Sequence, residues 1–415
     1  MTQEPSAHPV HCQPMTHPST ARPEISKAQL LQELSAFANP SDRKGTMLVL
    51  RDHVLYWAFI ATVLLAEPMW IKVVAALMAG FRLSSFYTLA HDAAHGTLAR
   101  SKRLNWVLAL VAGVPATHNY RMWSHDHNKV HHPYTNGDHF DYYTPYSKAG
   151  YDALPWHRKV LEHIYRAPLG IGLWLYFAIH WFPTRIYPNV RTPRDQVPES
   201  RKYSALLLAY HGSFVALLLW APAFAPVTAL QAVLLGWVLP LFTLMFLSST
   251  SLYIMHTHPN IPWFKSDDLR HNRHSPEVCS VVWLLPDWFS KVVNNVYNHA
   301  AHHAHAGIPS YHLLAAQKRM NELVGHKLVI EKASVRTLLR TMRTCKLYDY
   351  ENHQWLDFKG QPSAPRIDLE QKGLVALRNP VRVPMAINPA PVVSPTPAPT
   401  ASGHALPQPV PDALA

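Results

Sequence analysis

The chain has 415 residues, of which 15% are charged and 48% are hydrophobic, and its apolar residues are concentrated in a few long runs. This composition is typical of a membrane protein with sizeable polar parts. The net charge of +12 does not indicate nucleic-acid binding, because the Lys and Arg residues flank apolar runs and form no basic stripe with interleaved aromatic residues. An acidic membrane surface is the expected partner. The three cysteines form no CxxC pair, so neither a disulfide framework nor a thiolate metal site is indicated.

Two proline-rich tails, residues 1–25 and 376–415, are predicted to be disordered, and residues 26–375 between them form the predicted membrane domain. Four apolar runs in this domain predict transmembrane helices. They are Val54–Ala66, Met69–Ala90, Tyr203–Trp220 and Val227–Met255. Short turns at Glu67 and Pro68, and between Pro222 and Pro226, join them into two hairpins.

The distribution of cations predicts the orientation of these spans. Clusters of Lys and Arg precede and follow the first hairpin and precede the second, whereas the tight turns carry almost none. The positive-inside rule therefore places both termini and both large loops in the cytoplasm. Two shorter apolar stretches, Leu104–Ala116 and Leu169–Phe182, are predicted to lie at the membrane interface. The expected fold is an all-α, multi-pass integral membrane protein with two helical hairpins, interfacial helices and a cytosolic helical cap.

Histidines form three clusters that lie on the predicted cytoplasmic side. The sequence HDAAH contains His91 and His95; HNKVHH contains His127, His131 and His132; and HAAHH contains His299, His302 and His303. With 28 histidines in 415 positions, a single HxxxH pattern is expected by chance about twice, but each three-histidine pattern only ~0.13 times. The triplets are therefore candidates for a shared metal site.

Eight histidines exceed the ligands of one ion, so the clusters predict two metal ions held almost entirely by imidazole. His91 and His95 are four residues apart and share one face of a helix. Imidazole suits iron, zinc and copper. Soluble di-iron proteins use glutamate and ExxH pairs, whereas these motifs contain no glutamate.

The ordered series HxxxH, HxxxHH and HxxHH across four predicted spans resembles the membrane-bound fatty acid desaturase family. The blocks HTHPNIPWF, from His256, and HAGIPSYHL are most similar to Δ12-type (omega-6) members. The resemblance implies that the eight cluster histidines and a ninth, His256 or its rival His258, ligate two iron ions. It also implies that O2 is a co-substrate and that two hydrogens are removed from adjacent methylenes to form a cis double bond.

The same resemblance implies an acyl lipid, acyl-CoA or acyl-ACP substrate and an external electron donor of ferredoxin or cytochrome b5 type with its reductase. The chain contains neither an HPGG haem motif nor a GxGxxG fingerprint, so it carries no sign of its own electron carrier. Asp92 is either an acceptor that orients a ligand histidine or a carboxylate on the helix surface. Trp70, Tyr87 and Trp123 are candidates for lining an acyl-chain tunnel.

Two alternative functions remain open from the sequence alone. The same site would suit a lipid or carotenoid hydroxylase, a ketolase or an acetylenase. A histidine-rich metal-binding membrane protein or transporter is the second alternative. A transporter is expected to place ionisable residues within its spans, where Arg82 and His211 are the candidates.

Overall fold

The computed structural model describes residues 25–138, 142–168, 170–189, 192–265 and 276–374, which are predominantly helical. The two predicted tails lie outside the described residues, apart from residue 25. The α-helices are α1 Lys27–Ser35, α2 Asp42–Leu65, α3 Met69–His95, α4 Lys102–Gly113, α5 Tyr120–Asp126, α6 Lys148–Asp152, α7 Trp156–Tyr165, α8 Ile171–Ile186, α9 Val197–Trp220, α10 Ala229–Val233, α11 Leu239–His256, α12 Asp287–Val292, α13 His299–Ala304, α14 Ser310–Val324 and α15 Val335–Thr344.

Among the described residues, four helical segments are long and apolar enough to cross a membrane, which confirms the predicted number of spans. They are Asp42–Leu65, Met69–His95, Arg194–Ala223 and Ala229–His256. The last combines α10, a π-helical turn at Leu234–Val238 and α11. α2 begins twelve residues before the predicted span because its first turns are polar and hydropathy detects only the apolar part. The Ser41 side chain caps this early start by accepting a hydrogen bond from the Lys44 amide.

The second span, α3, lies at the centre of the bundle and packs against α2, α4 and α11. Gly80 permits the close contact with α11, since a Cβ atom there would lie 2.4 Å from Thr243 Cβ and 2.6 Å from the Pro240 carbonyl oxygen. α3 ends at His95 and is followed by Gly96, which has a φ of 76° and therefore adopts the left-handed conformation common after helices. His95 thus lies in the last turn of the helix.

Ionisable residues within the spans have local partners. Asp52 is fully buried and accepts hydrogen bonds from Arg82 at 3.2 Å and from Ser85. Lys72 donates to the Pro226 carbonyl oxygen, and the ring nitrogens of His211 lie near the Val114 carbonyl oxygen and Trp237 Nε1. Asp52 and Lys72 were not identified from the sequence. Pairing of this kind satisfies buried charge locally and does not favour a transport pathway.

The cap is assembled from α1, the segments between the spans and the chain after α11. It contains two short sheets that were not predicted. β1 (Val281–Leu284) pairs in parallel with β2 (Val329–Lys332), and β3 (Leu347–Asp349) pairs antiparallel with β4 (Gln354–Leu356). The described residues of the two predicted interfacial stretches belong largely to the helices α4 and α8, both shorter than the four spans.

Candidate metal centre

All nine histidines predicted as ligands converge beneath the ends of α3 and α11. They form two groups whose ring nitrogens lie within 4.8 Å of one another inside each group. The first group is His91, His95, His127, His132 and His302, and the second group is His131, His256, His299 and His303. Each sequence cluster except HDAAH contributes to both groups, so the two groups are neighbours within one site.

Helical spacing decides which group each histidine joins. His91 and His95 lie one turn apart on α3 and both belong to the first group. On α13, His299 and His303 are likewise four residues apart and belong to the second group, whereas His302 points to the first. One short helix therefore supplies histidines to both groups.

A π-helical turn lets the second cluster, HNKVHH, contribute histidines to both groups. Residues His127–His131 form this turn, and the His132 amide donates to the His127 carbonyl oxygen five residues earlier. In an α-helix, His127 and His132 would diverge. The longer turn brings them to the first group, with 3.1 Å between their Nε2 atoms, while His131 joins the second group. Single π turns of this kind are frequent at functional sites.

The structure places His256, and not His258, among the clustered histidines. His256 ends α11, and its Nε2 lies 3.0 Å from His299 Nε2. His258 is two residues beyond the helix and lies 3.2 Å from a Glu331 carboxylate oxygen and 3.2 Å from Arg340 Nη2. Burial lowers the pKa of His258 to about 4, although Glu331 raises it.

Polar groups around the histidines direct their other ring nitrogens. His256 Nδ1 lies 3.1 Å from the Cys279 carbonyl oxygen, and His303 Nδ1 lies 3.3 Å from Thr135 Oγ1. Asp92 is buried, with one carboxylate oxygen 3.1 Å from His91 Nδ1 and the other accepting from the Ser310 amide. The surface alternative for Asp92 is therefore wrong. Such partners fix the ring orientation of metal-ligating histidines.

The histidines of both groups are suited to binding metal ions in two respects, their protonation state and the buried ring nitrogens that lack a hydrogen-bonding partner. Burial, and then the neighbouring histidines, lower the pKa of His127, His302 and His303 well below the ordinary value, so these imidazoles are neutral near pH 7, the form that binds metal ions. The buried Nε2 atoms of His91 and His95 have no hydrogen-bonding partner among the described residues. Buried donors and acceptors without partners are costly, and coordination to a metal ion would satisfy these atoms.

A cavity extends from the histidines between α3 and α11. The empty volume of this cavity, together with the solvent space at its opening, is about 1160 Å³. Its apolar lining includes Phe81, Leu247, Leu252, Val293 and Val296.

Of the three tunnel candidates, Tyr87 and Trp123 line this cavity, whereas Trp70 is 69% exposed and is not among the lining residues. The lining also includes Arg185 and Tyr142, which no sequence pattern identified.

Comparison with known proteins gives consistent matches across this region. A family model for fatty acid desaturases matches residues 68–331, which contain all nine histidines. The chain is 27% identical over 301 residues to the sn-1 oleoyl-lipid 12-desaturase of Picosynechococcus sp., covering 72% of this chain and 81% of that protein. It is 26% identical over 316 residues to the chloroplastic omega-6 fatty acid desaturase of Spinacia oleracea, covering 76% and 67%. It is 24% identical over 274 residues to the sn-1 acyl-lipid omega-3 desaturase (ferredoxin) of Synechocystis sp., covering 60% and 67%.

Proposed function

The chain belongs to the fatty acid desaturase family, and on this premise we propose that it desaturates oleoyl chains of membrane lipids at carbon 12. In this proposal the nine clustered histidines hold two iron ions. The observation that carries the proposal is the position of two adjacent all-imidazole groups at the end of a largely apolar cavity. Relatives named as oleoyl-lipid 12-desaturases and omega-6 desaturases support the substrate class and the position.

In the proposed desaturation, both oxygen atoms of O2 end in water and none is added to the acyl chain. Two iron ions held by these histidines would supply the reduction of O2, which with two electrons and two protons takes up the two hydrogens of adjacent methylenes and ends as two waters. The product is a cis double bond.

The protein's own residues bind and orient the chain. Contacts with the apolar lining, at about 0.8 kcal/mol for each buried methylene, hold the acyl chain in one register past the histidines. Trp123 forms part of the wall nearest the first group, because its ring stacks on His127 with 4.6 Å between centroids. A dry, shaped cavity also keeps water away from the reacting carbons.

We place the metal centre and both termini on the cytoplasmic side, since the cationic residues flank the ends of the spans that adjoin the cap. Electrons would come from an external carrier of ferredoxin type, the donor named for the relative from Synechocystis sp.. Arg336, Arg340 and Arg343 follow one face of α15 and are exposed. This surface would suit an acidic carrier.

Product analysis tests the proposal. The chain is expressed in a host whose lipids contain oleoyl but no linoleoyl chains, and the lipid acyl chains are analysed by gas chromatography and mass spectrometry. We expect linoleoyl chains with the new double bond at carbon 12. An unchanged acyl profile, or an oxygenated acyl product, would overturn the proposal.

A further inference from the structure

Arg185 is a buried cation in the cavity wall with hydrogen-bonding capacity left unused. It lies near the end of α8, is 3% exposed and lines the cavity beside Tyr87 and Tyr142. Its Nη2 atom lies 2.5 Å from Asp126 Oδ2 and also contacts the Tyr142 hydroxyl. Its Nε and Nη1 atoms are buried and have no hydrogen-bonding partner among the described residues. Leaving buried donors unsatisfied is costly, which points to a ligand that supplies an acceptor.

The charges around Arg185 indicate whether that acceptor is neutral or negatively charged. Asp126 already compensates the guanidinium charge, and the Tyr142 hydroxyl donates to the same carboxylate at 3.1 Å. The neighbouring His118 is neutral near pH 7, because burial and then Arg185 lower its pKa well below the ordinary value. A phosphate or carboxylate would therefore place a second negative charge beside Asp126 without a second cation. A neutral carbonyl oxygen accepts the same hydrogen bonds without that cost.

The position of Arg185 relative to the metal centre is suited to a substrate contact. Arg185 and three histidines of each group line the same cavity as Trp123, whose ring lies 5.5 Å from His91 and 5.5 Å from His118 between centroids and stacks on His127. A group bound by Arg185 would thus be held in the cavity that the histidines also line. The arrangement fixes a length of chain between an anchored polar group and the reacting carbons.

We propose that Arg185 binds the carbonyl oxygen of the acyl ester and thereby sets which methylenes lie beside the metal centre. This inference rests on the proposed function, since it assigns a contact to the acyl-lipid substrate. Arg185 acts as a specificity-determining residue, and Asp126 is the positioning residue that keeps its site neutral. The ester carbonyl, rather than a headgroup phosphate or a free carboxylate, is the group recognised.

Isotope-edited infrared spectroscopy tests the contact without catalysis. The iron-free full-length chain in dodecyl maltoside is loaded with an oleoyl lipid labelled with ¹³C at the ester carbonyl. In the native chain we expect the labelled carbonyl stretch at a lower frequency than in protein-free micelles, because hydrogen bonds to a guanidinium weaken the C=O bond.

The double variant Arg185→Met with Asp126→Asn removes both charges together, so that neither is left buried alone. We expect it to lose the shifted band and to bind the lipid about tenfold more weakly. The single variant Asp126→Asn keeps Arg185 and should keep the band. It should also bind free oleate about tenfold more tightly than the native chain does, because the guanidinium is no longer compensated. Thermal unfolding of each variant verifies that it is folded.

A shifted band that persists in the double variant, or Asp126→Asn without a gain in oleate affinity, would overturn the inference. The double-bond position in the iron-loaded protein provides a second readout. The native chain should give one position, whereas the double variant should give a mixture. These results are distinguishable from a failure of the proposed function, in which the native iron-loaded chain would form no double bond although the infrared contact could still be measured.

Discussion

The two histidine groups differ in number, burial and support. The first group has five members, of which His91, His95 and His132 are only partly buried, whereas all four members of the second group are buried. The second group is also held by backbone and hydroxyl contacts, from the Cys279 carbonyl oxygen to His256 and from Thr135 to His303. In the proposed di-iron site one ion would have five histidines and the other four, so the first group would have a ligand to spare. Both groups line the cavity, the first through His91, His127 and His302 and the second through His131, His256 and His299.

Removing a ligand of the second group should have the largest effect. For His303→Ala we expect purified protein to hold about one iron per chain rather than two, with loss of desaturation by roughly 10³-fold or more. Metal analysis and product analysis check this. His305→Ala is the matched control, since His305 follows the same cluster but lies 3.3 Å from Ser35 Oγ and outside both groups. Retention of two irons by His303→Ala would contradict the prediction.

Removing a ligand of the first group should be milder if that group has a ligand to spare. For His95→Ala we expect two irons per chain on purification, with iron transferred to a chelator about 100-fold faster than from the native chain. The rate is measured by absorbance of the chelator complex. If this variant holds a single iron, as expected for His303→Ala, the two groups do not differ in the way described.

Loss of a residue that contacts a histidine of the first group, without belonging to the group, should have a smaller effect than loss of a histidine. Asp92→Asn neutralises one carboxylate, of which one oxygen lies beside His91 Nδ1 and the other accepts a hydrogen bond from the Ser310 amide. We expect iron affinity to fall about tenfold, which a competition titration with a chelator measures. Asp287→Asn, at an exposed carboxylate paired with Lys318, is the control. Equal affinities in the two variants would remove Asp92 from the description of the site.

The smallest expected effect concerns electron delivery to the second group. Arg340 on α15 contacts His258, which is two residues from His256, so the basic face of α15 lies close to that group. Reversing Arg336 and Arg343 to Glu should raise the KM for reduced ferredoxin about three- to tenfold while turnover with a chemical reductant is unchanged. The control reverses Lys102 and Arg103, two exposed cations on α4. Equal KM values in the two variants would place the docking surface elsewhere.

Much of this architecture can be predicted from the sequence because it depends on the pattern of residues close together in the chain. Apolar runs predicted the four spans, and the spacing of HDAAH predicted the convergence of His91 and His95. The start of α2 at Asp42 was missed, since its polar first turns carry no hydropathy signal.

What the sequence could not provide depends on three-dimensional packing. The choice between His256 and His258 depends on where α11 ends. The assignment of His131 and His132 to different groups depends on a π-helical turn, which no residue pattern predicts. Arg185 lies three residues beyond the apolar stretch Leu169–Phe182, which is predicted only to be interfacial, and its proposed role depends on Asp126 and Tyr142 from other parts of the chain. Buried partners such as Asp52 and Arg82 likewise become visible only once α2 and α3 are packed together.

Metal stoichiometry tests the central claim most directly. Full-length protein purified from iron-replete cells is analysed for iron, zinc and copper by mass spectrometry, and its iron is examined by Mössbauer spectroscopy. We predict two irons per chain in two sites with nitrogen-rich ligation, reflecting five histidines in one group and four in the other. Protein that binds a single metal ion per chain, or that selectively binds zinc, would contradict the account.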